Sequence, residues 1–274
     1  MSIRSFFAAH PLTADHQAAA WLRFAAWQIR SRLQSEVIVP WIAGTKLAVR
    51  RGMTGATGNI YCGLHEFADM AFALHFLRPN DLFLDVGANV GSYTVLASGV
   101  RGARSVAFEP DPEACRALSR NVAINGLDSL VSIRQEAVGM DGEVRFTVGL
   151  DTVNHVARPG EQDVRVVPSL SLDSLGCRPA LIKLDVEGGE DAVVRHGRAT
   201  LASSEAIIIE TVSEETSATL REAGFQRMFY SPFERRLSAD SSAIFGNSLY
   251  VRNLDFVTER TRNAPAVTVL GRSI

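Results

Sequence analysis

The chain has 274 residues, of which 46% are apolar and 21% charged, which suits a folded protein with a sizeable core. It contains 28 Lys and Arg against 30 Asp and Glu, a net charge of −2 that argues against general nucleic-acid binding. No apolar run reaches the ~18 residues of a membrane span, and no signal-like segment opens the chain. Three scattered cysteines exclude a disulfide framework. We expect a cytoplasmic protein with no nucleic-acid partner and no integral membrane segment.

The first 60 residues differ from those that follow and are predicted to form an N-terminal extension of a helix and a β-hairpin, before a main domain over 61–274. An amphipathic helix is expected over 14–35, because apolar residues recur at helical spacing. Its predicted apolar face consists of Leu22, Ala25, Ala26, Ile29 and Leu33, widened by Trp21, Phe24 and Trp27. We expect this face to pack on the main domain or on a second subunit of a homodimer; the alternative is a membrane-surface helix.

After the extension the chain continues with two short β-like runs, a Gly-rich stretch over 52–63 and a helix over about 64–77. From residue 81 short apolar strands alternate with helices. The strands are expected at 82–86, 105–108, 130–134, 143–148, 164–170, 180–184, 206–210, 225–230 and 248–252. This alternation predicts an α/β domain with a mostly parallel sheet and helices on both faces.

The first candidate site follows the first core strand, where residues 85–94 read Asp-Val-Gly-Ala-Asn-Val-Gly-Ser-Tyr-Thr. In open α/β sheets ligands bind at the carboxyl ends of strands, and glycines let a ligand approach the backbone. The run is neither Gly-x-Gly-x-x-Gly, since Asn89 replaces the second glycine, nor a P-loop. Asp85 suits a cationic ligand better than a pyrophosphate.

Two further candidates follow the next two strands. Glu109, in Phe-Glu-Pro with Pro110, ends the second strand, where a carboxylate can accept hydrogen bonds from both hydroxyls of a ribose. Glu136 and Ala137 follow the third strand, where polar groups could border an adenine. Taken singly, each residue also fits a solvated strand end.

The fourth candidate is Lys-Leu-Asp-Val-Glu-Gly-Gly-Glu at 183–190. Asp185 and Glu187 could orient a cation, bind a metal or deprotonate a hydroxyl. Alternatively, Glu187 and Glu190 merely favour the N-terminus of the following helix.

Together, these four motifs resemble the FkbM-type methyltransferases over about residues 60–252. The resemblance implies a Rossmann-like fold with a seven-stranded sheet whose last strand is antiparallel. It also implies S-adenosylmethionine as cofactor and O-methyl transfer to a hydroxyl of a sugar, glycan or secondary metabolite. By resemblance, the cofactor contacts fall on Glu66, Asp85, Gly87, Ala88, Asn89, Gly91, Ser92, Glu109, Pro110, Glu136, Ala137 and Asp185.

A base that takes the proton of the acceptor hydroxyl would speed this reaction. The candidates are Asp185, Glu187, His155 and His65, of which we favour His155 or Asp185. No third clustered carboxylate is evident, so we expect no metal. The acceptor is expected to be a small molecule or carbohydrate. Its pocket could draw on the aromatic C-terminal third and Asn247, although Phe229, Tyr230, Phe233, Phe245 and Tyr250 suit a core equally well.

Two other functions stay open at this point. A non-catalytic protein would bind S-adenosylmethionine without transferring its methyl group. An NAD-dependent oxidoreductase would bind NAD instead, and the missing second glycine counts against it. A nucleic-acid N-methyltransferase usually has an Asn/Asp-Pro-Pro-aromatic run, where this chain reads Asp185-Val186-Glu187-Gly188.

Overall fold

The structure is a computed structural model that describes residues 2–147, 155–157, 160–239 and 246–274. The N-terminal part forms helices and a hairpin. Its elements are α1 (Ile3–Ala9), α2 (Gln17–Leu33), β1 (Val37–Pro40), β2 (Lys46–Val49) and α3 (Thr54–Cys62). Helix α3 occupies the Gly-rich stretch that we did not expect to be helical, and its buried residues, such as Ala56 and Cys62, show that tertiary packing outweighs the low helix propensity of glycine.

The rest of the chain alternates strands and helices. Its helices are α4 (Phe67–Phe76), α5 (Ser92–Val95), α6 (Pro112–Ile124), α7 (Glu190–Arg195), α8 (Arg198–Ser203), α9 (Glu214–Glu222) and α10 (Leu254–Arg262). Its strands are β3 (Leu82–Val86), β4 (Arg104–Phe108), β5 (Val131–Arg134), β6 (Ala137–Val138), β7 (Gly142–Thr147), β8 (Val164–Leu170), β9 (Leu181–Leu184), β10 (Ala206–Ile209), β11 (Gln226–Ser231), β12 (Arg236–Ser238), β13 (Ser248–Val251), β14 (Thr268–Val269) and β15 (Arg272–Ser273).

The described residues form a central sheet of eight strands in the order β12-β11-β13-β10-β9-β3-β4-β5. Strands β5, β4, β3, β9 and β10 run parallel, whereas β13 is antiparallel to both of its neighbours. The predicted Rossmann-like α/β fold with an antiparallel last strand is confirmed, with one difference in strand number. The eighth strand, β12, pairs antiparallel with β11 at the edge of the sheet.

Strand β8, which was expected as another short strand, does not belong to the central sheet. It pairs with β6 and β7 in a separate sheet of three strands. Its residues alternate between buried Val167 and exposed Val166, because only one face of this small sheet is covered.

The central sheet is buried on both faces, as expected for parallel strands connected by helices. Phe83 and Ile208 belong to the hydrophobic core on one face, and Leu84 and Ile207 to the core on the other. The chain crosses from β3, β4 and β5 on one side to β9 and β10 on the other. The switch point of the sheet therefore lies between β3 and β9, where their carboxyl ends open a crevice.

The N-terminal elements are attached directly to this domain. The side chain of Asn121 on α6 accepts a hydrogen bond from the backbone N–H of Ala48 at 2.7 Å, and the Trp41 indole donates to the carbonyl of Gly63 at 2.6 Å. The predicted boundary after residue 60 falls within α3, so the two parts are joined by a helix rather than by a linker. No helix in the described segments has the length and apolar character of a membrane span.

Most of the predicted apolar face of α2 does not pack on the main domain. Leu22 is 72% exposed, Ile29 61% and Leu33 79%, and packing on a second subunit stays a prediction. The opposite side of the helix is buried through Ala20 and Trp27, and of these Trp27 belongs to the wider face that was expected to pack. Both sides of α2 are apolar, so helical periodicity could not tell which side meets the protein.

Candidate active site

The carboxyl ends of the central strands open onto a cleft with two lobes. One lobe spans about 670 Å³ and the other about 770 Å³, each including space that is open to solvent. We call the first the β4 lobe, because Glu109, Pro110, Glu136 and Ala137 line it. The second is the α4 lobe, which is lined by His65, Glu66, Ala88, Ser92, Tyr93, Lys183 and Glu210. Gly87, Asn89, Asp185 and Glu187 line both lobes, so the two adjoin and together form the groove of the cleft.

The backbone of the first motif is shaped by contacts within the protein. Gly87 has φ +77°, and a Cβ there would lie 1.7 Å from the carbonyl oxygen of Asp185. Gly91 has φ +86°, and a Cβ there would meet the side chain of Leu118 at 2.4 Å. We expected these glycines to admit a ligand. The structure shows that they admit neighbouring protein atoms, and Gly91 is not among the described residues that line the cleft.

Asp85 is buried beneath the groove and is not among its described lining residues. The Thr94 hydroxyl donates to Asp85 Oδ2 at 2.6 Å, and Asp85 pairs in register with Lys183 on the neighbouring strand. Burial raises the pKa of this carboxyl, which the charge of Lys183 opposes. Asp85 therefore contributes to the structure beneath the groove and not to its surface.

Glu109 ends β4 and holds the loop after β3. Its Oε2 accepts the backbone N–H of Asn89 at 2.8 Å, and its Oε1 accepts that of Asp111 at 2.9 Å. Burial raises the pKa of Glu109 to about 7, although both hydrogen bonds act to lower it. Asn89, at φ 51°, adopts the left-handed conformation that asparagine tolerates, and this turns its N–H toward the carboxylate.

Glu136 and Ala137 lie beside Glu109 in the β4 lobe. The Arg134 guanidinium donates to Glu136 at 2.6 Å. This ion pair is partly exposed and orients the side chain more than it stabilises the fold.

Asp185 is partly exposed and lies between the buried Lys183 and the exposed Glu210 in a network of charges. Lys183 Nζ donates to Asp185 Oδ2 at 2.6 Å. Burial opposes ionisation of Asp185, but the charge and hydrogen bond of Lys183 outweigh it, and a hydrogen bond from Glu210 adds to them, so the pKa of Asp185 is lowered. Burial, the charge of Asp185 and that hydrogen bond raise the pKa of Glu210 to about 8. The two carboxyls therefore share a proton near neutral pH.

Glu210 is a site residue that the sequence analysis missed. It directly follows β10, which pairs with β9 so that Ile209 lies opposite Leu184. This register places Glu210 beside Asp185, and a carboxylate after an apolar strand was the available signal. Lys183, a lysine within the apolar strand Leu181–Leu184, was a second signal, because lysines are seldom buried without a partner.

A third carboxylate therefore exists, contrary to the sequence-based expectation. Oxygen atoms of Asp185, Glu187 and Glu210 all lie within 4.8 Å of one another, so the three could hold a divalent cation. Glu187 has φ 55°, a strained conformation for a residue with a side chain. Its pKa is raised by burial and by the charge of Asp185.

Glu66 and His65 reach the α4 lobe from the start of α4. Asn247 Nδ2 donates to Glu66 at 3.2 Å, and its backbone N–H donates to the buried Asp69 at 3.3 Å. Burial and the charge of Glu66 raise the pKa of Asp69 to about 8. Asn247 is thus hydrogen-bonded to Glu66 of the α4 lobe without being among the described lining residues, and a role for it in the acceptor pocket stays a prediction.

The remaining sequence candidates lie outside the cleft. His155 contacts Glu161 at 3.2 Å and is not among the described lining residues, although its charge acts on Glu187. Tyr230 and Tyr250 are buried in the two cores, and Phe233 packs against Phe67. The sequence left open whether these aromatic side chains line the acceptor pocket or pack in the core, and the structure shows them packed against other side chains. Phe245 and residues 152–154 lie outside the described residues.

Comparison with known proteins decides the family. The model of the family described as the Methyltransferase FkbM domain matches residues 85–228, just over half of the chain. This chain belongs to the FkbM methyltransferase family. The matched segment contains the motifs of the cleft that begin with Asp85, Glu109, Glu136 and Asp185, and the resemblance seen in the sequence is confirmed.

Individual relatives of this FkbM chain are distant. Hexuronic acid methyltransferase AglP of Haloferax volcanii is 25% identical over 138 residues, 48% of this chain and 56% of that protein. The chain therefore spans little more than half the length of this curated relative.

Two solved methyltransferase structures are also similar to this chain. The methyltransferase FkbM of Methylobacillus flagellatus KT superposes with a TM-score of 0.44 at 16% identity, covering 85% of this chain and 60% of that one. The precorrin-6y C5,15-methyltransferase of Geobacter metallireducens gives a TM-score of 0.39 at 14% identity, covering 69% and 86%.

Proposed function

We propose that this chain is an S-adenosylmethionine-dependent O-methyltransferase that acts on a hydroxyl of a sugar, glycan or secondary metabolite. The observation that supports it most is the acidic two-lobed cleft of an FkbM family member. Among the described residues, seven that bear carboxyl groups line the cleft, whereas the basic ones are Lys183 and His65. The seven residues with carboxyl groups are Glu66, Glu109, Asp111, Glu136, Asp185, Glu187 and Glu210.

The cleft fits the chemistry of this cofactor. S-Adenosylmethionine carries a sulfonium and an ammonium, so carboxylate walls complement its charge. It has no pyrophosphate, and the described cleft offers no glycine-rich phosphate cradle. In this proposal Glu109 accepts the ribose hydroxyls, Pro110, Glu136 and Ala137 border the adenine, and Gly87 with Asp185 flanks the junction of the lobes. Glu66, Ala88, Asn89 and Ser92 border the methionine end.

When bound, the cofactor supplies an activated methyl group, whose transfer to the acceptor oxygen breaks its bond to sulfur. The chain's own task is to orient the acceptor in the α4 lobe and to accept the hydroxyl proton. We favour Asp185 over His155 as the acceptor of this proton, with Glu187 beside it. Asp185 lines both lobes and is joined to Glu210. Once Glu210 has released its own proton, the pair can accept that of the hydroxyl.

The name of the archaeal relative supports a sugar acceptor. That protein is a hexuronic acid methyltransferase, so sugar acids and their conjugates are the first acceptors to test. The other acceptor classes are glycans and small hydroxylated metabolites.

The test is a transfer screen with S-adenosylmethionine labelled in its methyl group. The acceptors are hexuronic acids, glycans and hydroxylated metabolites, and the products are located by mass spectrometry. We expect the product to be a methyl ether formed at a hydroxyl group of the acceptor. Asp185→Asn should reduce turnover at least a hundredfold, within the ~10²–10⁴ range of acid–base catalysis. His155→Ala is expected to lose less.

Three outcomes would contradict the proposal. Methylation confined to carboxylates, which gives esters, or to amines would exclude a hydroxyl as the acceptor. Binding of S-adenosylmethionine with no transfer to any acceptor would favour the non-catalytic alternative. Binding of NAD in its place would favour an oxidoreductase.

A further inference from the structure

Helix α2 presents an apolar stripe to solvent on the outer side of the molecule. Leu22 is 72% exposed, Ile29 61% and Leu33 79%. Ala25 and Ala26 between them are also exposed. These residues lie on one side of the helix, because their spacing follows its 3.6-residue repeat. We call them the α2 stripe.

The fold itself does not need this stripe. Ala20, Trp27 and Ser31 on the opposite side of α2 are buried, and Arg23 Nε donates to the carbonyl of Tyr61 on α3 at 2.7 Å. A helix that is apolar on both sides usually meets a partner on both. The α2 stripe therefore marks a contact that lies outside the chain's own core.

Positive charge borders the stripe on both sides. At ~100° per residue, Arg30 lies about 100° to one side of Ile29 and Arg32 about 60° to the other. Both are exposed, and over the described segments neither forms an ion pair with a carboxylate. Helix α2 contains no Asp or Glu. Arginines in this position can extend past an apolar stripe toward anionic groups.

The N-terminal segment that contains α2 is basic, whereas the rest of the chain is acidic. Residues 1–53 contain seven basic residues (Lys and Arg) and two acidic ones (Asp and Glu). Residues 54–274 contain 21 basic and 28 acidic residues. Both acidic residues of the first segment face arginines, since Glu36 pairs with Arg50 and Arg120 and Asp15 pairs with Arg272. The net charge of −2 for the whole chain thus hides a basic N-terminal segment.

A second copy of the chain fits this surface poorly. The stripe from Leu22 to Leu33 is about 17 Å long on a helix about 10 Å wide, which offers on the order of 200 Å², far below the ~800 Å² per partner of a standard interface. It also offers the arginines no carboxylate in a symmetric contact, because α2 has none.

We propose that the α2 stripe and its arginine rim dock the protein on an anionic lipid bilayer surface. Leu22, Ile29 and Leu33 enter the interface between headgroups and acyl chains, while Arg30 and Arg32 bind the anionic headgroups. The helix lies on α3, whose Gly55 lines the α4 lobe, so the docked surface is one helix away from the cleft.

The experiment is flotation of the full chain with two kinds of vesicle. One is pure phosphatidylcholine, and in the other one third of the lipid is the anionic phosphatidylglycerol. We expect binding to the anionic vesicles that weakens as salt is added. The triple variant Leu22→Gln/Ile29→Gln/Leu33→Gln should reduce the partition coefficient by at least about tenfold, and Arg30→Gln/Arg32→Gln should reduce it on anionic vesicles only. The control Met140→Gln/Val166→Gln replaces two equally exposed apolar residues and should bind like the parent.

The proposal fails if the parent chain does not bind anionic vesicles at low salt, or if the triple variant binds as well as the control. It also fails if light scattering shows a dimer that the triple variant dissociates while vesicle binding is absent, because the occupant is then a second copy. All replaced side chains are exposed, so equal melting temperatures are expected and verify that each variant is folded.

Discussion

Gly87 and Asp185 end neighbouring strands of the sheet, and their backbones are in direct contact. A Cβ on Gly87 would lie 1.7 Å from the carbonyl oxygen of Asp185. The loops after β3 and β9 are therefore packed together as one unit at the switch point of the sheet. The two lobes of the cleft meet at this unit, since both residues line both lobes.

We predict that Gly87→Ala destabilises the protein by about 3 kcal/mol or more, because it combines a clash with backbone and a left-handed φ. The control is Gly126→Ala, at φ +64° with no atom within 4 Å of the added Cβ, which should cost only about 1–2 kcal/mol. Urea unfolding measures both. Equal losses would show that the loops can separate without cost.

Glu109→Gln is expected to weaken S-adenosylmethionine binding by about 10- to 100-fold, because it removes a charged acceptor worth about 1.5–3 kcal/mol. The variant also turns an amide N–H toward the backbone donors of Asn89 and Asp111. Calorimetric titration measures the affinity, with Glu113→Gln on exposed α6 surface as the matched control. Unchanged affinity in Glu109→Gln would remove this residue from the cofactor site.

The pH dependence of turnover should reflect the Asp185–Glu210 pair. Near pH 7 the pair holds a proton, because the pKa of Glu210 is raised to about 8. We expect turnover to rise as the pH passes through this value and frees the pair to accept the proton of the hydroxyl. Glu210→Gln keeps a hydrogen-bond donor beside Asp185 but cannot titrate, so this rise should disappear. If the variant retains the parent's pH profile, the pair does not accept the proton.

Stability of the ligand-free protein should fall as the pH rises from about 6.5 to about 8, above the range in which the lowered pKa values of His10 and His75 act in the opposite sense. Burial raises the pKa of Asp69 to about 8 and that of Glu109 to about 7, whereas the unfolded chain releases these protons near pH 4. The folded state therefore holds more protons over this window, and raising the pH favours unfolding. Urea midpoints across the window measure the slope. Asp69→Asn should make it shallower, and an identical slope would contradict the raised pKa.

Chelation by EDTA is expected to leave transfer activity intact. Asp185, Glu187 and Glu210 are close enough to hold a cation, but Lys183 already binds Asp185 at 2.6 Å and neutralises its charge. Dialysis against EDTA followed by the transfer assay tests this. Activity that is lost and then restored by magnesium would show that the three carboxylates hold a metal.

The sequence by itself determined the α/β fold, the family and the strand ends that form the cleft. Its apolar strands and the glycines, prolines and carboxylates after them are local features, so their order along the chain was sufficient. Glu109, Glu136, Asp185 and Glu187 were all found in this way, because parallel strands bring their carboxyl ends to one edge.

Only the tertiary structure decided how these residues are coupled. The contact of Gly87 with Asp185 and the pairing of Glu210 with Asp185 join residues from different strands, and they depend on strand order and register. The direction in which α2 faces was also beyond the sequence. Periodicity identifies an apolar side of a helix, but when both sides are apolar, only packing against the rest of the chain decides which one is buried.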